Sequence, residues 1–372
     1  MNVRRVSLSA LFVLLLMVPT VLGAIPLTIQ TPVGIVSTEV SEAEARQPRL
    51  RTSGDFQFYI LTSREARNMF GSRSQGSGAY VVGVTSGTRT ARLPQTLGGE
   101  TVVFAQFARG DRLRSLNTSR ATGLRYLRVD NFRGRISSLD VRNNTRLRVL
   151  VVQNTDVRNV NTNNLRRLDW LELRDNSRLN RVDVRRNTRL TGLYVNRSAV
   201  RNINLRENTR LARLEIGRSR ISNLDLRNNR RLSGILIEGT RINSLNLRNQ
   251  ERLRAATISG NSRLTTLDVR RNARLQHLNV SDNRLTSIRL RNNSALRSLG
   301  ICNNRLESLN VSRQRNLRSL SFSGNRGLRV NVSNNTRLTW IFYSPANEKV
   351  NPAFTSFREL RASGSNMRLQ NR

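Results

Sequence analysis

The residues most able to do chemistry in this chain are arginines at regular intervals. Arg142, Arg185, Arg206, Arg227, Arg248, Arg270 and Arg291 recur at single or double steps of about 21 residues. A second series, Arg146, Arg167, Arg189, Arg210, Arg231, Arg252, Arg274 and Arg337, precedes a leucine each time. A guanidinium group is a planar fork that pairs with carboxylate, phosphate or sulfate through two parallel hydrogen bonds. Such series are suited to anion capture. Lys349 is the only lysine, so 63 of the 64 basic residues are arginine and the formal net charge is +40. A field this positive attracts polyanions and speeds their capture. The bland alternative is that the charge keeps a long chain soluble.

Catalytic chemistry has little to stand on. His277 is the only histidine and Cys302 the only cysteine, about one repeat apart. A Cys–His pair is conceivable on that register, but no third group or oxyanion donor accompanies it. There is no metal-ligand cluster, no phosphate loop between strand and helix, and no cofactor motif. The expectation is a non-enzymatic protein with no cofactor, no metal and no small-molecule substrate.

The elements that position the arginines follow from the spacing of apolar residues. Leu139, Val160, Val182, Ile203, Leu224, Leu245, Leu267, Ile288, Leu309 and Val330 open successive phrases, 191 residues over nine steps. A second set lies about 11 residues after the first: Leu150, Leu171, Leu193, Leu214, Ile235, Ala256, Leu278, Leu299, Leu320 and Ile341. Both halves follow Leu-x-Leu-x-x-Asn, as in Leu224-Asp225-Leu226-Arg227-Asn228-Asn229. A period in this range describes a solenoid in which each coil buries its apolar side on its neighbours.

These phrases resemble the leucine-rich repeat family, in particular the short, internalin-like class of bacterial secreted proteins with LxxLxLxxN nested twice in about 21 residues. The resemblance spans more than 220 residues. It implies a repeat solenoid of parallel β-strands and short turns with few or no helices, and a binding role rather than a reaction. It also makes the strand face a site for a protein partner. Both halves satisfy the strand phrase, so either one can form that face.

Columns of the repeat carry the remaining expectations. One residue after the first anchors, Asp and Asn alternate: Asp140, Asn161, Asp183, Asn204, Asp225, Asn246, Asp268. Strands stack about 4.8 Å apart, where neighbouring carboxylates repel, so an intervening Asn is physically sensible. The first arginine column lies two residues further on, and such positions on a strand point to the same side, so this sheet face is expected to carry an acid/amide column beside an arginine column. Unit charges about 5 Å apart in water repel by roughly 0.8 kcal/mol, and a Debye length near 8 Å does not screen that away. A bound polyanion would relieve the repulsion. The second arginine column falls in turns along one edge, where it either blocks edge-to-edge pairing or forms a polyanion track. The corresponding face of the other half is irregular and includes Trp170, Glu172, Tyr194, Glu215 and Glu238. Irregularity suits a partner of particular shape.

Outside the repeats, residues 1–23 read as a secretory signal peptide. Their apolar run is short for a membrane span, which is the alternative. Residues 24–54 read as a linker. Three β-like runs at 56–61, 80–84 and 101–107 place a small β-rich N-terminal cap at 55–107, with a separate binding domain as the other reading. The solenoid is expected over 108–344 and a polar C-terminal cap or tail over 345–372. The expected location is secreted or cell surface, or the periplasm in a Gram-negative source, with no transmembrane segment once the signal is cleaved. The expected partners are an anionic polymer (acidic polysaccharide, lipopolysaccharide or extracellular DNA), a cell-surface glycan, or a protein on the irregular face. A structural matrix or envelope role is the third alternative.

Overall fold

A computed structural model of the protein describes residues 48–70, 76–107, 112–130, 136–342, 349–350 and 368–369. The expected signal peptide and most of the expected linker lie outside these residues. The chain divides into two compact units, Met1–Leu147 and Arg148–Arg372.

In the first unit the end of the expected linker is already a strand. Arg51–Ser53 pairs antiparallel with Phe56–Leu61 around Gly54, whose φ of 55° is the left-handed conformation that glycine adopts without strain. Phe56–Leu61 then pairs antiparallel with Gly78–Val84. From there the pairing turns parallel, Gly78–Val84 with Glu100–Phe107 and Glu100–Phe107 with Tyr126–Asp130. A second parallel ladder joins Thr90–Arg92, Ser115–Asn117 and Ser138–Asp140. Both ladders thus begin before residue 108, where the coils were expected to start. A helix, Ser63–Phe70, opens with a capping box in which Glu65 accepts from the Thr62 backbone N–H at 2.7 Å and donates its own N–H to Thr62 Oγ1 at 3.3 Å. The rings of Tyr80, Phe104 and Tyr126 stack in the core beside Leu61, Ala66 and Val103.

The second unit shows which half of the repeat is the sheet. The strands Val149–Gln153, Trp170–Arg174, Gly192–Asn196, Arg213–Gly217, Gly234–Glu238 and Ala255–Ser259 pair parallel and in register. Shorter strands at His277–Asn279, Ser298–Gly300, Ser319–Ser321 and Trp340–Phe342 continue the ladder. All are built on the second set of anchors. The first set yields only three-residue strands or none: Ser244–Asn246 with Thr266–Asp268, and Ser308–Asn310 with Arg329–Asn331. Two further short pairings, at Lys349–Val350 and Arg368–Leu369, carry the ladders into the stretch expected to cap or fray.

Each coil stacks an aliphatic layer on the next. Leu211, Leu214, Ile216, Ile221, Leu224 and Leu226 of one coil are all buried, and each contributes roughly 1.5–3 kcal/mol by leaving water. Turning the chain so tightly points backbone carbonyls inward, where only another protein group can satisfy them. A buried amide column does so. Asn208 Nδ2 donates to the carbonyls of Val184 and Asn187, both at 2.9 Å. Asn229 repeats this with Leu205 and Asn208, and Asn272, Asn293 and Asn335 with their own preceding coils. Gln250 and Gln314 occupy the same position but each bonds one carbonyl, at 2.7 and 2.8 Å.

A second column fixes the turn after each long strand. Asn154, Asp175, Arg197, Arg218, Gly239, Gly260, Asp282, Asn303 and Gly324 follow one another coil by coil, all with positive φ. Asn, Asp and Gly tolerate this conformation; arginine does not, at a cost of roughly 1–2 kcal/mol. Arg218, with φ of 43°, is therefore a strained position. Arg218→Gly is expected to raise stability by about 0.5–1 kcal/mol, after allowance for the greater chain entropy of glycine. A urea midpoint that falls instead would refute the strain.

Candidate functional site

On the long strands the first, third and fifth residues point away from the core, and over the first four of them several of these side chains are bonded to one another. The Trp170 ring lies over Gly192, where a Cβ would sit 2.5 Å from the ring, so only glycine admits it. Its centroid is 4.5 Å from that of Tyr194. The Arg174 guanidinium lies 5.3 Å from the Tyr194 ring centre. Arg174 Nη2 donates to Glu215 at 3.0 Å, and its Nε approaches Glu172 at 2.9 Å without hydrogen-bond alignment. Gln153 donates its side-chain amide to Glu172, and Asn196 donates to Glu215 at 3.1 Å. Burial pushes the Glu215 carboxyl up, against the lowering pull of Arg174, and burial likewise pushes the Tyr194 hydroxyl up. Glu238 stands in register with Gly217 on the next strand and adds to the upward push on Glu215. Sequence reasoning named Trp170, Glu172, Tyr194, Glu215 and Glu238, and the structure brings them together. It missed Arg174, Gln153 and Asn196, which the two-residue strand period places on the same face.

The first arginine column is arranged differently from expectation. It does not stand on a strand face beside the acid/amide column. The strands Ser138–Asp140 and Thr266–Asp268 end at the acid itself. The acid or amide turns back and accepts the N–H two residues on: Asp140 from Arg142 at 3.0 Å, Asn204 from Arg206 at 3.0 Å, Asn246 from Arg248 at 3.0 Å. These Asx turns end the strand, and either Asp or Asn can make them. Where the residue is Asp, the guanidinium folds onto the same carboxylate. Arg142–Asp140, Arg185–Asp183, Arg227–Asp225 and Arg270–Asp268 are ion pairs of 2.7–2.8 Å. Arg248 lies 3.7 Å from Asp268. Among the described residues Arg206 and Arg291 of this column form no ion pair, although Arg206 is close enough to help lower the Asp225 carboxyl.

The second column keeps its charge. Arg210, Arg231, Arg252 and Arg274 are exposed and have no acid partner among the described residues, while Arg189 shares Asp169 with Arg148. His277 and Cys302 do not meet. His277 is in register with Ser298, so four strand positions, about 13 Å, separate them. Among the described residues no group of His, Cys, Asp and Glu could hold a metal ion, and no helix is long and apolar enough to cross a membrane.

No protein-family model matches the sequence, and comparison with curated proteins finds no match. Solved structures do match. The functional domain of InlJ from Listeria monocytogenes, which includes a cysteine ladder, is 26% identical with a TM-score of 0.55, over 60% of this chain and 49% of that one. A leucine-rich repeat protein of Leptospira interrogans is 13% identical with a TM-score of 0.56, over 72% of this chain and 73% of that one. The chain has an internalin-like leucine-rich repeat fold. The fold expected from the spacing is thereby shown: a solenoid of parallel strands with almost no helix. That fold supports a repeat-based binding module. This one spans about half the length of the InlJ structure. With a single cysteine it has no cysteine ladder; amides form its buried column.

The Asp–Arg pairs of this internalin-like chain carry a pH signature. The hydrogen bond from its own arginine is the main cause holding each of Asp140, Asp225 and Asp268 below the usual carboxylate range, and it takes Asp183 to about 2. A depressed folded value means stability that is present above the ordinary carboxylate pKa near 3.9 and lost as pH falls toward about 2. Changing all four to Asn keeps the Asx acceptor, as Asn204 and Asn246 show, and removes the ion pair. The quadruple variant is expected to lose little stability at neutral pH, because the pairs are exposed, and to show a flatter acid limb in thermal melts between pH 4 and 2. An unchanged acid limb would mean that the pairs do not form in solution.

Proposed function

We propose that this internalin-like chain is an exported, non-enzymatic binding protein whose sheet face grips a protein partner through Trp170, Glu172, Tyr194, Glu215 and Glu238. The observation that supports it is the seating of Trp170 against Gly192 and Tyr194, with Arg174 tied between Glu172 and Glu215. Side chains held in place before a partner arrives lose little freedom on binding. Aromatic and arginine residues in such settings carry most of an interface's energy. Export rests on the charged and apolar pattern of residues 1–23. The test is an array of purified secreted and cell-surface ectodomains, probed with the wild type and with a Trp170→Ala/Tyr194→Ala variant. Targets held by the wild type and lost by the double variant are expected. If every target is bound equally by both proteins, the sheet-face reading fails.

A second reading, an anionic polymer on the turns, is supported by the exposed, unpaired Arg210, Arg231, Arg252 and Arg274. The first column supports it less, because Asp140, Asp183, Asp225 and Asp268 occupy its arginines.

A further inference from the structure

A third arginine row lies on the other connection of each coil, between the long strand and the next short one. Arg220, Arg241, Arg263, Arg284 and Arg305 occur on five consecutive coils. Each immediately precedes a buried aliphatic, Ile221, Ile242, Leu264, Leu285 and Leu306. That burial pins the backbone and leaves the arginine side chain no direction but outward. All five are exposed. The backbone N–H of Arg220, Arg241, Arg284 and Arg305 bonds the carbonyl of the preceding coil at 2.8–2.9 Å, so consecutive members stand one coil apart, about 4.8 Å. Among the described residues none of the five has a hydrogen-bond or acid partner for its guanidinium. Two carboxylates lie two residues from a member of the row, Asp282 and Glu307, and Asp282 accepts from the Asn303 amide at 2.7 Å. The first column differs: there an Asp two residues back holds four of the seven arginines, Arg142, Arg185, Arg227 and Arg270, and here the residues two back are Arg218, Gly239, Asn261, Asp282 and Asn303.

We propose that Arg220, Arg241, Arg263, Arg284 and Arg305 form a binding strip for a linear anionic polysaccharide, whose sulfate esters or uronate carboxylates are taken one after another by successive guanidinium forks. The forks fit such oxyanions through paired hydrogen bonds. A nucleic acid is the poorer fit. Single strands are held by aromatic side chains that stack the bases as well as by charge, and the residues flanking the row are Ser219, Ile221, Ser222, Thr240, Ile242, Ser262, Leu264, Asn283, Leu285, Asn304 and Leu306, with no aromatic among them. The inference takes its ligand class from the anionic-polymer reading above but assigns it to a different row.

The full chain is titrated against dextran sulfate, polygalacturonate, neutral dextran and an oligo-dT strand at two salt concentrations. Three variants accompany it: the five residues changed to Gln, the same five changed to Lys, and Arg210, Arg231, Arg252 and Arg274 changed to Gln. Unchanged circular dichroism confirms folding, as expected for exposed positions. The wild type is expected to bind at least one of the two acidic polysaccharides more tightly than oligo-dT, with no binding to neutral dextran. The five-Gln variant is expected to lose at least tenfold, and the five-Lys variant severalfold. The relative affinity for dextran sulfate and polygalacturonate identifies sulfate or carboxylate as the group recognised. Loss of less than twofold in the five-Gln variant overturns the proposal, as does tighter binding of oligo-dT. Equal affinity of the five-Lys variant overturns the fork geometry. Loss only in the Arg210–Arg274 variant also overturns it and leaves the earlier reading standing, whereas loss only in the five-Gln variant does the reverse.

Discussion

Asn229→Leu is expected to lower stability by about 2–4 kcal/mol, although the change adds apolar surface to an apolar interior. Asn229 is fully buried, and its Nδ2 serves two carbonyls, Leu205 and Asn208, that have no route to water. Leaving a buried acceptor unsatisfied costs about 1–3 kcal/mol. The loss is partly offset, because Asn229 Oδ1 itself has no partner and leucine removes that liability. Coils touch only their neighbours, so damage in the middle of the array divides the cooperative unit. Urea unfolding followed by far-ultraviolet circular dichroism is expected to show an earlier or a two-step transition. A midpoint equal to wild type would mean that hydrophobic layers alone hold the coils, with the amide column incidental.

Trp170→Ala is expected to weaken partner binding by about 30-fold or more, the size of an aromatic hot spot worth at least 2 kcal/mol. The stability loss should be smaller, since Trp170 is only partly buried on the sheet face. Gly192→Val attacks the same ring from below. Its side chain would occupy the space in which Trp170 Cε3 and Cζ3 lie. The ring must swing away from Tyr194, and binding should fall to a similar degree although no contact residue has been changed. Affinities of both variants for a target found on the ectodomain array, measured by surface plasmon resonance, check this. If Gly192→Val binds normally, the seating of Trp170 is not what prepares the face.

Much of this architecture is legible in the chain. The aliphatic anchors from Leu139 to Ile341 set the coil length, and Trp170, Glu172, Tyr194 and Glu215 were readable as one face because second-set positions align coil by coil. What could not be read there depends on competition between local hydrogen bonds. Asp140 and Arg142 look like strand neighbours on one side, but a carboxylate two residues before an N–H can cap it, and the strand then ends. That single choice assigns the short half to the first anchors and the continuous sheet to the second, and it turns the first arginine column from a free charged row into a set of local pairs. The buried amides Asn208, Asn229 and Gln250 stand in the repeat phrase itself, yet phrase spacing does not say which carbonyl an amide will reach. The row at Arg220 to Arg305 is harder to read, because the same position holds Asp156 and Ala199 on earlier coils and Gly327 on a later one, so the arginine recurs over only part of the repeat.

Hydroxyl-radical footprinting of the wild type, free and bound to its tightest array target, tests the sheet-face account most directly. Trp170 and Tyr194 are expected to be oxidised severalfold more slowly in the complex, as a partner seated on that face covers both rings. Equal oxidation of the two rings in the free and bound protein would place the partner elsewhere and contradict the account.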